Sequence, residues 1–317
     1  GPVLRFRDLT DQFIKREHSL PIFTSGLYIF TIGLSKKVLI ADTVAPIADQ
    51  TFAMANPTMV ESWLGAIAYM LQLYFDFSGY SDMAIGLALM MGFRFKQNFN
   101  TPYLSLSITE FWQRWHISLS TWLRDYLYIP LGGNRKGSAR TYVNLFLVML
   151  LGGLWHGAAW TYVLWGAWHG AWLACERYTG WARNVPSRAI ALPVTLVLVL
   201  IGWVMFRAAN VGDAFTVYGG MIGLNGITPS IEFLANVTRE NLLFLVLAIF
   251  AVFAEPYFKK LTDAENGIEA HGFSVSPNGT AVAIPSLAYP IAMSLLLVVT
   301  VARLSEQSVS PFLYFQF

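Results

Sequence analysis

Charged residues divide this chain into long apolar stretches. A helix of about 20 residues, at about 1.5 Å per residue, crosses the hydrocarbon core of a membrane. Residues 18–35, 189–206 and 284–302 contain no Asp, Glu, Lys or Arg and come close to that length. Each of these three stretches predicts a membrane-spanning helix.

Three other charge-free stretches differ in length from a single crossing. Residues 62–75 and 241–254 are shorter, so each predicts a tilted or partly embedded helix, or a span that includes flanking polar residues. Residues 141–175 would form one helix about 52 Å long, which exceeds a single crossing. We expect two helices there, joined near Trp155-His156-Gly157.

The composition indicates the class of protein. Of the 317 residues, 55% are apolar and 13% are charged, whereas an ordinary soluble domain carries roughly 25% charged residues. The predicted fold class is an all-α polytopic membrane protein, for which the lipid bilayer is a partner. The net charge of +2, without a basic stripe interleaved with aromatic residues, predicts no nucleic-acid partner. Residues 1–317 show no separable soluble domain and predict a single membrane-embedded region.

Basic residues on both sides of 141–175 predict an orientation. They are Arg135, Lys136 and Arg140 before the stretch and Arg177, Arg183 and Arg188 after it. The positive-inside rule places both flanks in the cytoplasm. The turn at His156 then lies deep in the membrane or toward its far side, and the alternative is a re-entrant arrangement with His156 buried near the midplane. Residues 271–280 predict a loop, and the aromatic residues 310–317 predict a tail at the membrane interface.

Polar residues inside apolar segments mark candidate sites, because their burial in lipid is costly. The densest cluster spans residues 112–126. On one continuous helix, Trp112, Trp115 and His116 would share a face. The structural alternative is an amphipathic interfacial helix with an aromatic belt, and spacing alone does not choose between the two.

The second candidate site is a repeated Trp-His-Gly-Ala string, at 155–158 and 168–171. A neutral imidazole accepts a proton near neutral pH and is the usual general base. Alternatively, either histidine is a buried structural residue that donates a hydrogen bond to a carbonyl. Because His156 and His169 have the same neighbours, spacing does not separate them.

The third candidate site, residues 76–82, places Asp76 and Asp82 around Ser78-Gly79. It predicts a broken helix, whose carboxylates either cap a helix that begins near Met83 or bind a cation as in transporters. The capping interpretation is favoured. Because the usual zinc-ligand and phosphate-loop motifs are absent from the sequence, we predict no metal site and no bound cofactor.

Residues 74–86, 112–125 and 154–157 contain unusual strings in a fixed order. These strings resemble the membrane-bound O-acyltransferase family, and in particular the bacterial branch that contains the membrane subunit of alginate O-acetylation. Residues 131–135 and 312–317 are further points of resemblance to that branch. The similarity covers most of the chain.

The resemblance implies a fold and a location. Members of the family form a ring of transmembrane and re-entrant helices around a central tunnel, where a cytosolic acyl donor meets an acceptor from the opposite side. Relatives usually carry several more helices before the part that resembles residues 1–3, so we expect this chain to lack N-terminal helices of the ring. The implied location is the bacterial inner membrane.

The resemblance also implies an O-acetyltransferase site. In this family the histidine of the Trp-His-Gly element is catalytic, which selects His156 as general base, and His116 matches a polar residue that lines the same cavity. Tryptophans near the histidines would form the tunnel wall. Three polar residues are candidates either for binding the donor at the cytoplasmic mouth of the tunnel or for structural pairing. These substrate-binding candidates are Trp112, Trp115, Trp155, Arg124, Asp125 and Asn134.

Donor, acceptor and partner follow from the same resemblance. The expected donor is acetyl-CoA or another acyl-carrier thioester, and the expected partner is a periplasmic acetyltransferase of the SGNH type that modifies a secreted polysaccharide. Alginate is the leading polysaccharide, with cellulose and peptidoglycan as alternatives. The rival hypothesis from another class is a transporter or channel for acyl groups or polysaccharide that uses Asp76 and Asp82.

Overall fold

The computed structural model describes residues 1–266, 268–269, 272–273, 288–306 and 312, and most of these residues are helical. The helices are α1 (Thr10–Ile14), α2 (Leu20–Ser35), α3 (Asp42–Ala53), α4 (Met59–Met90), α5 (Ile108–Arg114), α6 (Ile117–Leu123), α7 (Gly137–His156), α8 (Trp160–Thr179), α9 (Arg188–Arg207), α10 (Val211–Met221), α11 (Ile231–Asn236), α12 (Arg239–Asn266) and α13 (Ala288–Glu306). Short 3-10 turns lie at Phe6–Asp8 and Pro102–Leu104, π-helical turns at Lys36–Ala41 and Arg124–Tyr128, and a two-residue antiparallel pair joins β1 (Ile268–Glu269) to β2 (Gly272–Phe273). The predicted all-α class is confirmed.

Four helices in the described part of the chain are long and apolar enough to cross a membrane. They are α7, α9, residues 239–257 of α12 and residues 289–306 of α13. The spans predicted at 189–206 and 284–302 correspond to α9 and α13. Residues 20–35 of the stretch 18–35 form α2. The chain stays helical past the lysines that follow, because the π-helical turn at 36–41 leads directly into α3.

The predicted hairpin within 141–175 is confirmed. Helix α7 ends at His156, and α8 begins at Trp160 after a three-residue connection. Gly153 on α7 and Gly166 on α8 lie against the backbone of the facing helix, where any side chain would collide. The two helices therefore pack as a tight antiparallel pair with His156 at its turn.

The predicted break at Ser78-Gly79 is wrong. Helix α4 runs without interruption for 32 residues through this string. Gly79 and Gly86 face α2, where a Cβ on Gly86 would lie 2.5 Å from the carbonyl oxygen of Gly26. The glycines allow α2 and α4 to approach backbone to backbone, as small residues do between membrane helices. Glycine, which suggested a break in the helix, here permits close packing of two helices.

Both carboxylates of this string are ion-paired with lysines of the π-helical turn. Lys37 Nζ lies 2.7 Å from Asp76 Oδ1 and 2.8 Å from Asp42 Oδ1, while Lys36 Nζ lies 2.7 Å from Asp82 Oδ2. Asp76 and Lys37 are both buried. Their charges therefore hold α2, α3 and α4 together, and the capping role predicted for this string is replaced by interhelical pairing.

Replacing Lys37 with methionine is expected to destabilise the protein by about 3–5 kcal/mol, because Asp76 would remain buried without its cation. Thermal unfolding in detergent would measure this loss. The matched control is Lys96→Met, since Lys96 pairs with Asp8 at 3.1 Å but its side chain is 79% exposed, and surface pairs contribute about 0–1 kcal/mol. Equal melting temperatures for the two variants would contradict the expectation.

Two predictions concern residues beyond those described. Of the loop at 271–280, only Gly272 and Phe273 are described, and of the tail at 310–317, only Phe312. The ring of Phe312 contacts Tyr80 with a centroid distance of 5.1 Å. The loop and the interfacial tail otherwise stay predictions.

Candidate active site

His156 is the last residue of α7, at the turn of the α7–α8 hairpin. Its ring is partly exposed and is surrounded by three aromatic rings. The centroid distances are 5.1 Å to Trp155, 5.3 Å to Trp165 and 5.2 Å to Phe206. Since the ring makes no hydrogen bond with another described residue, its nitrogens are available to a substrate hydroxyl.

His116 lies between two short helices, and the continuous helix predicted for residues 112–126 is wrong. Helix α5 ends at Arg114, α6 begins at Ile117, and His116 has a φ of 45°. The preceding segment stabilises the break, because Asn98 accepts hydrogen bonds from the backbone N–H groups of Ile117 at 2.9 Å and of Ser118 at 3.1 Å. Trp112, Trp115 and His116 therefore do not share one helical face.

The hydrogen bonding of His116 favours one tautomer. Its Nδ1 accepts from the backbone N–H of Leu119 at 3.3 Å, which caps α6. A neutral imidazole that accepts at Nδ1 carries its proton on Nε2. The ring is only 1% exposed, and Nε2 has no hydrogen-bond partner among the described residues. His116 thus holds a buried N–H donor that no described residue uses.

A continuous set of aromatic rings connects the two histidines. The ring centroids are separated by 4.8 Å for His116–Phe77, 6.4 Å for Phe77–Trp115, 5.0 Å for Trp115–Trp203, 5.7 Å for Trp203–Trp165 and 5.3 Å for Trp165–His156. The fold therefore brings two residues from separate clusters of the sequence into one aromatic environment.

The three predicted tryptophans lie in different surroundings. Trp115 belongs to the aromatic set between the histidines and is buried. Trp112 donates from Nε1 to His169 Nδ1 at 3.3 Å and packs against Trp165. Trp155 packs against His156 but is 53% exposed. Only Trp115 belongs to the ring set that links His116 to His156, and the substrate-binding role of the three tryptophans stays a prediction.

Two of the three polar candidates, Arg124 and Asp125, belong to a separate charged network at the π-helical turn 124–128. Asp125 accepts from Arg124 at 2.8 Å, from Arg5 at 2.5 Å and from Arg7 at 2.8 Å. The hydrogen bonds from Arg124 and Arg5 lower the pKa of Asp125 to about 2. Asp125 is therefore ionised at neutral pH and tethers the first residues of the chain. Asn134 lies exposed in the turn before α7.

Several residues at the site were not predicted from the sequence. Trp165, Trp203 and Phe206 belong to the aromatic set around His156, but each lies in an apolar stretch that indicated only a span. Glu176, which is buried on α8, accepts three hydrogen bonds from residues 108–109. Only its position beside an apolar stretch could have singled it out. In the part of the chain that the structure describes, no three His, Cys, Asp or Glu side chains form a group that could hold a metal ion.

Comparison with known proteins identifies similar sequences. A family model described as membrane-bound O-acyltransferase matches residues 1–212. A protein of Azotobacter vinelandii named probable alginate O-acetylase AlgI is 52% identical over all of this chain, which covers 67% of that protein. The protein of the same name from Pseudomonas aeruginosa is 50% identical over all of this chain, with 68% of its own length covered. The peptidoglycan O-acetyltransferase of Helicobacter pylori is 41% identical over 82% of this chain and 51% of its own length.

The chain spans about two thirds of the length of the alginate O-acetylases that it matches. The matches to the O-acetylases include every cluster from which the site was predicted, since they extend over all of this chain. The names of these relatives indicate the class of reaction, and the geometry of the site indicates which side chains could carry it out.

Proposed function

This chain belongs to the membrane-bound O-acyltransferase family, and on that premise we propose that it transfers an acetyl group from cytosolic acetyl-CoA, across the inner membrane of a bacterium, to a hydroxyl that serves alginate O-acetylation. The family and the names of its relatives make it an O-acyltransferase of a multi-pass membrane fold. The finer proposal rests chiefly on one observation: a continuous set of packed aromatic rings joins His116 to His156.

His156 acts as the general base in this proposal. Its neutral imidazole accepts the proton of the acceptor hydroxyl while the hydroxyl oxygen attacks the thioester carbonyl carbon. The C–O bond forms, the carbonyl π electrons move to oxygen, and their return expels the CoA thiolate. The products are the acetyl ester and CoA, with the proton passing from His156 to the thiolate.

His116 stabilises the negative charge that develops on the carbonyl oxygen. Its Nε2–H is a buried donor that no described residue uses, and its Nδ1 accepts from the N–H of Leu119 at the start of α6. A fixed donor in a water-poor site needs no reorganisation when charge develops. The buried rings of Trp115, Trp165 and Trp203 would keep water from the thioester.

The proposed topology rests on the hairpin and its basic ends. Arg135, Lys136 and Arg140 lie at or near the start of α7, and His156 is the last residue of this 20-residue helix. If the basic end faces the cytoplasm, as the positive-inside rule predicts, His156 lies toward the opposite face. We propose that the acetylated acceptor leaves on that face and reaches a periplasmic SGNH-type acetyltransferase.

Two alternatives differ in how far they are supported. Peptidoglycan as final acceptor is supported by the 41% identity to a peptidoglycan O-acetyltransferase. This alternative requires the same transfer chemistry. The transporter hypothesis depended on Asp76 and Asp82 as a cation site. Both carboxylates are paired with lysines instead, and this pairing favours a structural role for them.

Reconstitution in phospholipid vesicles tests the proposed function. Acetyl-labelled acetyl-CoA is supplied on one side only, and mannuronate oligosaccharides with a periplasmic SGNH acetyltransferase on the other. We expect labelled ester on the oligosaccharide, equimolar CoA release on the donor side and no requirement for an ion gradient. Glycan fragments of peptidoglycan replace the mannuronate in a parallel arm. Failure to consume the donor with either acceptor would contradict the proposal.

A further inference from the structure

Helix α5 is too short to be stable without tertiary contacts. It has seven residues, and isolated helices below about 12 residues are marginal in water. It ends two residues before His116, and the N–H of Asn100 donates to the carbonyl of Arg114 at 2.9 Å. The location of His116 therefore depends on the contacts that fix α5, together with the hydrogen bonds of Asn98 to Ile117 and Ser118.

Glu176 of α8 binds the N-terminus of α5. Its Oε1 accepts from the N–H of Ile108 at 2.5 Å, and its Oε2 accepts from the N–H of Thr109 at 2.8 Å and from Thr109 Oγ1 at 2.7 Å. Ser107 Oγ accepts from the next N–H, that of Glu110, at 3.0 Å. The first three N–H groups of a helix have no partner within the helix, and a carboxylate there also interacts favourably with the helix dipole. Glu176 thus supplies a cap from another helix.

His169 holds α5 at a second point. It precedes Glu176 by seven residues on α8, which places both side chains on nearly the same face of the helix. Its Nδ1 accepts from Trp112 Nε1 at 3.3 Å, and its ring packs edge-to-face on the Trp112 indole at 5.2 Å. On the other side of the ring, a Cβ at Gly202 of α9 would lie 2.8 Å from Nε2. His169 is fully buried, so it is held between α5 and α9.

Helix α8 therefore connects the two catalytic candidates. It begins at Trp160, four residues after His156, and its side chains Glu176 and His169 bind α5, which ends two residues before His116. We infer that Glu176 and His169 are positioning residues that set the geometry between His116 and His156 through α5. This inference rests on the proposed acetyl transfer, and neither residue contacts the reacting atoms in it.

The test compares Glu176→Gln, His169→Leu and His169→Asn in the vesicle assay. Gln replaces one acceptor oxygen of Glu176 with an NH₂ group, and Leu removes the acceptor for Trp112, whereas the Asn carbonyl can still accept. We expect kcat to fall about 10- to 100-fold in Glu176→Gln and His169→Leu, as for a small misplacement of a catalytic group. The KM for acetyl-CoA should change less than threefold, and His169→Asn should keep most of the activity. Glu306→Gln, on the exposed end of α13, is the matched control.

A second measurement does not depend on the reaction. Hydrogen exchange followed by mass spectrometry should show faster exchange of the amides of residues 108–116 in Glu176→Gln, with α7 and α9 unchanged. A wild-type protein that transfers no acetyl group would overturn the proposed function. An active wild type whose kcat is insensitive to Glu176→Gln and His169→Leu would overturn this inference. So would a loss of activity that accompanies faster exchange throughout α2 and α4, since the effect would then be global unfolding.

Discussion

Replacing His156 with alanine should lower the acetyl-transfer rate by about 10²- to 10⁴-fold, the usual contribution of a general base. The side chain lies at the turn of the α7–α8 hairpin, is partly exposed and makes no hydrogen bond with another described residue. Its removal should therefore leave the fold intact. Initial rates of CoA release in vesicles would give kcat, and the melting temperature in detergent would report on the fold.

The control for His156 is a histidine outside the site. His18 is exposed just before α2, so His18→Ala removes the same group without reaching the aromatic set. We expect this variant to match the wild type in both measurements. Activity within threefold of wild type in His156→Ala, with the protein folded, would rule out His156 as the base.

His116→Asn is expected to lower kcat by about 10²- to 10³-fold, the cost of losing one oxyanion donor. The substitution separates the two functions of His116. Asparagine is among the best N-cap residues and tolerates positive φ, so its carbonyl can still accept from the N–H of Leu119. It has no group that corresponds to Nε2–H. The variant should therefore melt near the wild-type temperature while losing turnover.

The matched variant for this experiment is His116→Ala. It removes both the donor and the cap, and loss of a cap costs about 1 kcal/mol. We expect the same fall in kcat as in His116→Asn together with a lower melting temperature. If His116→Asn retained wild-type turnover while His116→Ala did not, His116 would be a structural cap and another group would have to stabilise the oxyanion.

The hairpin is the part of the fold that the sequence predicted best. Residues 141–175 are too long for one crossing, and Gly157 stands near their middle. The membrane thickness sets the length of a helix, so two helices and a turn at His156 followed from arithmetic. The structure has α7 and α8 within a few residues of the expected positions.

The predicted break at Ser78-Gly79 failed for a physical reason. A glycine in a membrane helix permits either a bend or a close approach of another backbone, and the local sequence is the same in both cases. The partner at Gly79 is α2, about 46 residues earlier at Gly33. The same applies to Asp76, whose partner Lys37 lies on a different element.

The sequence by itself determined that this is a helical membrane protein, that its longest apolar stretch turns at His156, and that three clusters of polar residues interrupt its apolar segments. Those properties follow from local composition and from the thickness of a bilayer. Only the tertiary structure decided that His116 caps α6 with Nε2 unused, that Asp76 and Asp82 are neutralised by lysines, and that His169 and Glu176 hold α5. The ion pairs and the contacts that hold α5 join residues 39 to 68 positions apart, and the break at His116 is stabilised by Asn98, which lies 20 positions from Ser118. Periodicity within one segment carries no information about which distant segment packs against it.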